Sequence, residues 1–136
     1  MLAAMERVTS TRAQRIGDAA ERLVGDRLEA QGWTVLARNL RIGRDEVDLH
    51  DHEGPRRALV VVEVRRRTRR DFGLAEETLD YRKRTALRRA VGTLLERGTL
   101  PDGAPLPHLP LRVDLVAMDV GGDGRPSLRH HRGIGL

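Results

Sequence analysis

The sequence has 136 residues, no cysteine, three aromatic residues and a single lysine, Lys83. The absence of cysteine excludes disulfides, thiolate metal sites and a cysteine nucleophile. The aromatics are Trp33, Phe72 and Tyr81, too few for the base-stacking surface of an RNA-recognition or oligonucleotide-binding module. The longest apolar run, residues 58–62, is far too short to cross a membrane. By elimination, these absences favour a cytoplasmic location.

Charge is abundant. Charged residues make up 33% of the chain, hydrophobic residues 39%, and the formal net charge is +5. A basic surface attracts polyanions, so nucleic acid is the expected partner, bound mainly through its phosphates. Residues 1–15 lack the apolar segment of a signal peptide, which favours a cytoplasmic protein without membrane attachment. The length predicts one domain over residues 11–136, preceded by a flexible extension over residues 1–10.

Hydrophobic periodicity predicts the element order αβββαβ, followed by a short final strand. A capping box at Thr11 opens a helix that stops at Gly32. Three strands over residues 33–40, 45–50 and 58–65 follow as an antiparallel meander. A second helix over residues 74–97 leads to a strand over 111–120, which such a crossover places parallel to the third strand. The expected fold is α/β, with a mixed central sheet flanked by helices.

Carboxylates interrupt two of these strands. The second contains Glu46 and Asp48, and the third contains Glu63 inside an apolar run. A carboxylate in a buried strand costs several kcal/mol unless it is paired, protonated or bound to a metal. Because side chains alternate along a strand, Glu46 and Asp48 share one face, and Glu63 and Arg65 share another. Neighbouring strands would bring three carboxylates together, which predicts a divalent-metal site for phosphodiester chemistry.

Mg²⁺ or Mn²⁺ in such a site polarises a phosphoryl oxygen and lowers the pKa of a bound water. Asp48 and Glu63 are the expected metal ligands, and the carbonyl oxygen of Val64 is a third. Glu21 lies at the edge of the apolar stripe of the first helix, from where it can reach over the sheet. Glu21 and Glu46 are expected to be outer ligands or to support the inner ones.

These residues, in this order, resemble the YraN-like family of small bacterial proteins. That family belongs to the PD-(D/E)xK restriction-endonuclease-like superfamily and is related to archaeal Holliday-junction resolvases. The matching positions are Gly17 with Glu21, Arg38-Asn39, Glu46 to Leu49, Val62 to Val64 with Arg67, Lys83, and Arg112 with Asp114. The resemblance implies a restriction-endonuclease-like core and a metal-dependent endonuclease acting on DNA, with branched or damaged DNA as candidate substrates. It also allows a homodimer.

Two positions depart from the family pattern. Asp45 replaces a glycine, and Arg65 replaces the catalytic lysine. Arginine stays protonated and cannot act as a general base, although its two parallel donors can clamp a phosphate. Lys83 is the remaining source of an ammonium group. The alternative function is a nucleic-acid-binding module that has the nuclease fold without the chemistry. A third interpretation holds Glu63 in structural ion pairs with Arg65 or Arg112.

The strongest local basic cluster follows Glu63 and predicts a phosphate-contacting rim, formed by Arg66, Arg67, Arg69 and Arg70. The alternative is a solvated basic loop. His50 shares the face of Asp48 at a strand end, where a histidine is expected to be solvated. The adjacent histidines near the C-terminus point in different directions along an extended chain, so they do not predict a metal pair.

Overall fold

The computed structural model describes residues 11–68 and 73–136, and it has the predicted element order. The predicted extension over residues 1–10 lies outside the described residues. The elements are helix α1 (Arg12–Ala30), strands β1 (Thr34–Ile42), β2 (Asp45–His52) and β3 (Ala58–Thr68), a short 3-10 helix (Ala75–Thr78), helix α2 (Tyr81–Arg97), and strands β4 (Leu111–Val120) and β5 (Pro126–His131). The predicted α/β class with a restriction-endonuclease-like core is confirmed.

The five strands form one sheet in the order β1-β2-β3-β4-β5. Strands β1, β2 and β3 pair as the predicted antiparallel meander, β4 runs parallel to β3, and β5 returns antiparallel to β4. The parallel ladder continues as far as the pair Thr68–Val120. Because β4 supplies partners up to that point, β3 extends beyond the predicted end at residue 65. Arg66 and Arg67 therefore lie on β3, beyond the predicted end of that strand.

The two long helices begin at side-chain caps. The predicted capping box is present on α1, where Thr11 Oγ1 accepts a hydrogen bond from the Gln14 N–H at 3.1 Å. The second helix begins later than the predicted residue 74, because the Asp80 carboxylate caps it and accepts a hydrogen bond from the Lys83 N–H at 2.9 Å. Residues 75–78 form a separate 3-10 turn instead. The cap thereby sets the rotation of α2 from its first turn, where Lys83 lies.

The central strand β3 is buried on both faces. Leu59 and Val61 pack on the α2 side, whereas Val60 and Val62 pack on the α1 side around Trp33. Each such buried aliphatic side chain contributes about 1.5–3 kcal/mol relative to exposure. Neither helix is long and apolar enough to span a membrane, judged over the described residues. The alternation of β3 decides which helix each of its site residues meets.

His50 is buried rather than solvated, with 2% of its surface exposed, so the sequence-based expectation is wrong. Strand β2 continues past it to His52, and its partner Val60 lies in the centre of the sheet. The ring packs edge-to-face on Trp33, with centroids 6.2 Å apart. Neither ring nitrogen has a hydrogen-bond partner within the described part of the chain. Burial lowers the pKa of His50 to about 4, so the ring is neutral in the folded protein.

This burial predicts acid sensitivity. The folded-state pKa of His50 lies below its ordinary value of 6.5, so protons bind the unfolded chain more readily and stability falls as pH drops from 6.5 toward 4. Between pH 7 and pH 5, we expect the free energy of unfolding to fall by on the order of 2 kcal/mol less in His50→Leu than in the native protein. Urea unfolding at each pH measures this difference. His108→Gln, at an exposed histidine, is the control. Parallel pH profiles for native protein and His50→Leu would contradict this account.

Candidate active site

The acidic side chains meet where the ladder between β2 and β3 ends, at the pair Asp48–Val62. Directly opposed residues share a face, so Asp48 lies on the α1 side with Val62. Glu63, the next residue on β3, lies on the α2 side. The two acidic strands therefore do not present their carboxylates on one common face. A small cavity of about 20 Å³ at the end of the ladder is nevertheless lined by Asp48, Glu63, Glu21 and Glu46.

Helix α1 supplies Glu21 to this cavity. Burial raises the pKa of Glu21 to about 7, and the negative charges of Asp48, Asp18, Glu63 and Glu46 act in the same direction. Burial also raises the pKa of Asp48, against the hydrogen bond that its carboxylate receives from the backbone. Because neighbouring negative charges raise the pKa values of both Glu21 and Asp48, the α1 side of the cavity is deficient in positive charge.

Asn39 positions Asp48, a role that sequence reasoning did not assign. Its N–H donates to Asp48 Oδ1 at 2.8 Å. The pairing of β1 with β2 shifts register between Ala37 and Leu40, and Asn39 there has φ 51°, a left-handed conformation that asparagine tolerates better than most residues. This bulge turns the amide toward the carboxylate. The Arg-Asn pair before the acidic strand was the available sequence signal.

The neighbouring Arg38 anchors the same bulge to α1. Its Nη2 lies 3.4 Å from Asp26 Oδ1 and 3.2 Å from Glu29 Oε1. The guanidinium crosses the helix at Gly25, where an added Cβ would lie 2.6 Å from Arg38 Nη1. Gly25 therefore permits the close approach that holds α1, and with it Glu21, over the sheet.

On the α2 side, Glu63 is held between two cations. Its Oε1 lies 3.4 Å from Lys83 Nζ and 3.5 Å from Arg65 Nη1. Burial raises the pKa of Glu63, and the charges of Lys83 and Arg65 oppose that rise only in part. The only lysine of the chain thus points from α2 toward the sheet. The predicted alternative partner Arg112 pairs with Asp114 instead.

Arg65 is committed to a second contact. Its Nε donates to Thr78 Oγ1 at 2.6 Å, and its Nη2 donates to the Thr78 carbonyl oxygen at 3.1 Å. Thr78 Oγ1 in turn donates to the carbonyl of Ala75 at 2.6 Å. The guanidinium therefore braces the 3-10 helix against β3. Within the described residues, Lys83 has Glu63 as its one ion-pair partner.

Asp45, where the family pattern has glycine, pins the start of β2 to α2. Both of its oxygens accept hydrogen bonds from Arg89, each at 2.9 Å. The hydrogen bond with Arg89 lowers the pKa of Asp45. Asp45 also lines a cavity of about 390 Å³, together with Glu63 and Lys83. A larger cavity of about 820 Å³ shares the Asp45 and Lys83 walls and continues along the first turn of α2.

Carboxylate oxygens are the donors that Mg²⁺ and Mn²⁺ prefer, so the chemistry of the cavity fits the predicted metal. In the part of the chain that the structure describes, however, no three acidic or imidazole side chains are grouped so that one ion contacts them all. The assignment of Asp48, Glu63 and Val64 as ligands stays a prediction. Glu46 is exposed at the rim, with its Oε1 3.1 Å from Arg41 Nη2.

Half of the predicted phosphate-contacting rim can be located. Arg66 is exposed on β3, and Arg67 is half-buried on the face of β3 that also carries Arg65. Arg69 and Arg70 lie outside the described residues. The two C-terminal histidines contact different carboxylates, as expected from their directions: His130 Nε2 lies 2.8 Å from Asp114 Oδ2, and His131 Nε2 lies 2.8 Å from Glu76 Oε2.

The raised pKa of Glu21 has a measurable consequence in metal-free buffer. Because its folded-state pKa lies above the ordinary value of 4.5, ionised Glu21 destabilises the fold above pH 7, and this effect fades as pH falls toward 4.5. We expect Glu21→Gln to stabilise the protein at pH 8 by on the order of 1 kcal/mol, after solvent screening, and by nothing at pH 4.5. Urea unfolding measures this, with the exposed Glu96→Gln as control.

A carboxyl ¹³C titration by NMR tests the same coupling directly. The Glu21 pKa should lie near 7 in the native protein and fall in Asp48→Asn, because that substitution removes a neighbouring negative charge. A Glu21 pKa near 4.5 in the native protein would contradict the coupled cavity.

Comparison with known proteins identifies relatives of nearly full length. The chain matches the profile described as "Uncharacterised protein family UPF0102" over residues 20–118, a span that contains Glu21, Asp48, Glu63 and Lys83. A UPF0102 protein of Symbiobacterium thermophilum is 34% identical over 118 residues, covering 86% of this chain and 92% of that protein. A UPF0102 protein of Roseiflexus castenholzii is 37% identical over 111 residues, covering 81% and 83%. A UPF0102 protein of Mycolicibacterium vanbaalenii is 33% identical over 126 residues, covering 93% and 97%. The resemblance to the YraN-like family is thereby confirmed, and the chain belongs to the uncharacterised protein family UPF0102.

Proposed function

We propose that this protein is a metal-dependent endonuclease that hydrolyses phosphodiester bonds in DNA. One observation carries the proposal. Glu21, Asp48 and Glu63 line a single cavity at the end of the β2–β3 ladder, and Lys83 Nζ lies 3.4 Å from Glu63 Oε1 at its edge. Hard oxygen donors can hold a divalent metal ion, and a nearby ammonium group can stabilise the negative charge that develops during phosphodiester hydrolysis. The net charge of +5 favours the polyanionic substrate.

Asp48 and Glu63 would hold Mg²⁺ or Mn²⁺, with the Val64 carbonyl as a further oxygen donor. The ion, when bound, supplies Lewis acidity toward the phosphoryl group and lowers the pKa of a coordinated water. The Asn39 N–H holds the Asp48 carboxylate in one orientation. Glu21, with a pKa of about 7, can take or release a proton near neutral pH.

We assign to Lys83 the role of the catalytic lysine that the family pattern has on the third strand, where this chain has Arg65. Lys83 approaches Glu63 from α2, and the Asp80 cap fixes the turn of the helix on which it stands. Arg65 supports the site from the other side, because its hydrogen bonds to Thr78 hold the adjacent 3-10 helix. In this arrangement the ammonium group belongs to helix α2 rather than to strand β3.

A second candidate is a DNA-binding module without cleavage activity. The observation that favours it is the double ion pairing of Glu63, whose oxygen already faces both Lys83 and Arg65. A carboxylate neutralised in this way is a weaker metal ligand. The two candidates make the same prediction for DNA affinity and opposite predictions for cleavage, so one assay separates them.

Cleavage of a labelled branched DNA in Mn²⁺ tests the proposal. We expect Asp48→Ala and Glu63→Ala to abolish cleavage while the circular dichroism spectrum is retained, because each removes a proposed metal ligand. Lys83→Met should reduce the rate by about 10²–10³, the usual loss for a charge that stabilises the transition state. Arg88→Gln, at an exposed arginine of the same helix, is the matched control for removal of a positive charge.

The outcome for Arg65→Lys divides the two candidates. Cleavage by the native protein that depends on Lys83 supports the endonuclease. Cleavage by Arg65→Lys alone, with an inactive native protein, supports the module that binds without cutting. Full activity in Asp48→Ala or Glu63→Ala would overturn the endonuclease assignment.

Metal binding is measured by isothermal titration of Mn²⁺ into native protein and into Glu63→Ala, each with and without a duplex oligonucleotide. The proposal predicts heat of binding in the native protein that Glu63→Ala lacks. The arm with DNA is needed because a phosphate oxygen can complete a coordination shell that the carboxylates leave open. Equal binding in both proteins would place the ion elsewhere.

A further inference from the structure

A further cavity, of about 850 Å³, lies beside Ala58, the first residue of strand β3, and shares no lining residue with the acidic cavity. Four of its nine lining residues are arginines and one is a histidine, and no acidic residue belongs to its described lining. We call it the arginine cavity and define it by Arg56, Arg57, Arg112, Arg132 and His52. The cleavage chemistry proposed above uses none of these residues.

The wall of the arginine cavity is built on a buried carboxylate. Asp114 is fully buried and accepts hydrogen bonds from Arg112 Nε at 2.9 Å and from the Gly133 N–H at 2.9 Å, and it lies 2.8 Å from His130 Nε2. Burial opposes its ionisation, but these hydrogen bonds lower the pKa of Asp114 to about 2. The ionised carboxylate therefore ties the C-terminal tail to β4 and places Arg132 at the cavity.

The opposite side of the wall is equally fixed. Arg112 Nη2 lies 3.0 Å from His52 Nδ1, and the His52 ring stacks on Trp33 with centroids 4.1 Å apart and an interplanar angle of 12°. The guanidinium of Arg112 also lies 5.6 Å from the Trp33 ring centroid. These contacts hold the His52 and Arg112 side chains in place without a ligand, which lowers the entropic cost of binding.

Two of the four guanidiniums are already neutralised. Arg57 Nη2 lies 2.7 Å from Asp51 Oδ2, and Arg112 pairs with Asp114. Arg56 and Arg132 make no ion pair within the described residues, so the cavity keeps two uncompensated positive charges. A guanidinium presents parallel donors that match phosphate oxygens in pairs and is more weakly hydrated than an ammonium group. The ligand that suits this cavity is a phosphate group.

We propose that the arginine cavity binds backbone phosphates of the same DNA that the acidic site engages, and the proposal rests on the function assigned above. Ala58 lines the arginine cavity, and Val62, on the same face of β3, lines the acidic one. The two residues are four positions apart, a distance of about 13 Å at about 3.3 Å per residue. One DNA strand rises about 3.4 Å per nucleotide, so the two cavities are about four nucleotides apart.

The test measures binding without cleavage. Fluorescence anisotropy of a fluorescein-labelled duplex of 20 base pairs is recorded in EDTA at several salt concentrations. The proteins are native, Arg56→Gln/Arg132→Gln, and the control Arg97→Gln/Arg125→Gln, which removes two exposed arginines outside both cavities. We expect the cavity variant to bind about 10-fold to 100-fold more weakly at 0.1 M salt, with the salt slope reduced by about two. The control should lose less than about threefold in affinity.

A cavity variant that behaves like the control overturns the proposal, and so does a native protein with no affinity for the duplex. Displacement of the duplex by millimolar inorganic phosphate, beyond the effect of chloride at equal ionic strength, would assign the cavity to a free phosphate and overturn the backbone assignment. EDTA keeps the result independent of catalysis. A selective loss of binding in the cavity variant, with no cleavage by the native protein in Mn²⁺, would support the arginine cavity and overturn the endonuclease. Cleavage without that selective loss would do the reverse.

Discussion

The burial of β3 on both faces is the constraint on which the rest of the molecule depends. A strand covered by α1 on one side and α2 on the other assigns successive residues to opposite layers. Val62 and its partner Asp48 therefore meet α1 and Glu21, whereas Glu63 meets α2 and Lys83. The acidic cavity forms at the point where β3 stops pairing with β2, because side chains from both faces of β3 can line it there. The site thus lies at the end of the β2–β3 ladder and does not belong to one face of the sheet.

Electrostatic balance explains how an arginine-rich chain places carboxylates in its interior. Asp114 is surrounded by hydrogen-bond donors that lower its pKa, and Asp51 is paired with Arg57. Glu21 differs, because the charges closest to it are negative and its pKa rises. Structural acids in this protein are therefore matched by cations. Glu21 and Asp48 of the proposed active site are left under-compensated, the condition that favours a bound cation or a proton.

Much of this arrangement follows from local sequence signals, and what does not follow depends on pairing at long range. The capping box at Thr11 and the crossover between β3 and β4 were predictable because each is set by neighbouring residues or by chain geometry. The late start of α2 was not predictable, because the residues before Asp80 also fit a helical pattern and only the Asp80 cap fixes the start. Which faces Asp48 and Glu63 occupy depends on strand register, and the burial of His50 depends on the length of β2. The arginine cavity combines residues from three separate segments of the chain, so no single sequence motif predicts it.

The irregularity at Asn39 has a consequence beyond the orientation of one carboxylate. Strand β1 is an outer strand of the sheet, and its register shifts twice along its length. An outer strand with a regular row of free amides and carbonyls is a template on which a second chain can add, and bulges interrupt that template. The same distortion that points an amide at Asp48 therefore also makes this border of the sheet a poor partner for strand-to-strand association. The orientation of the Asp48 carboxylate and the interruption of the sheet edge therefore depend on the same few backbone angles.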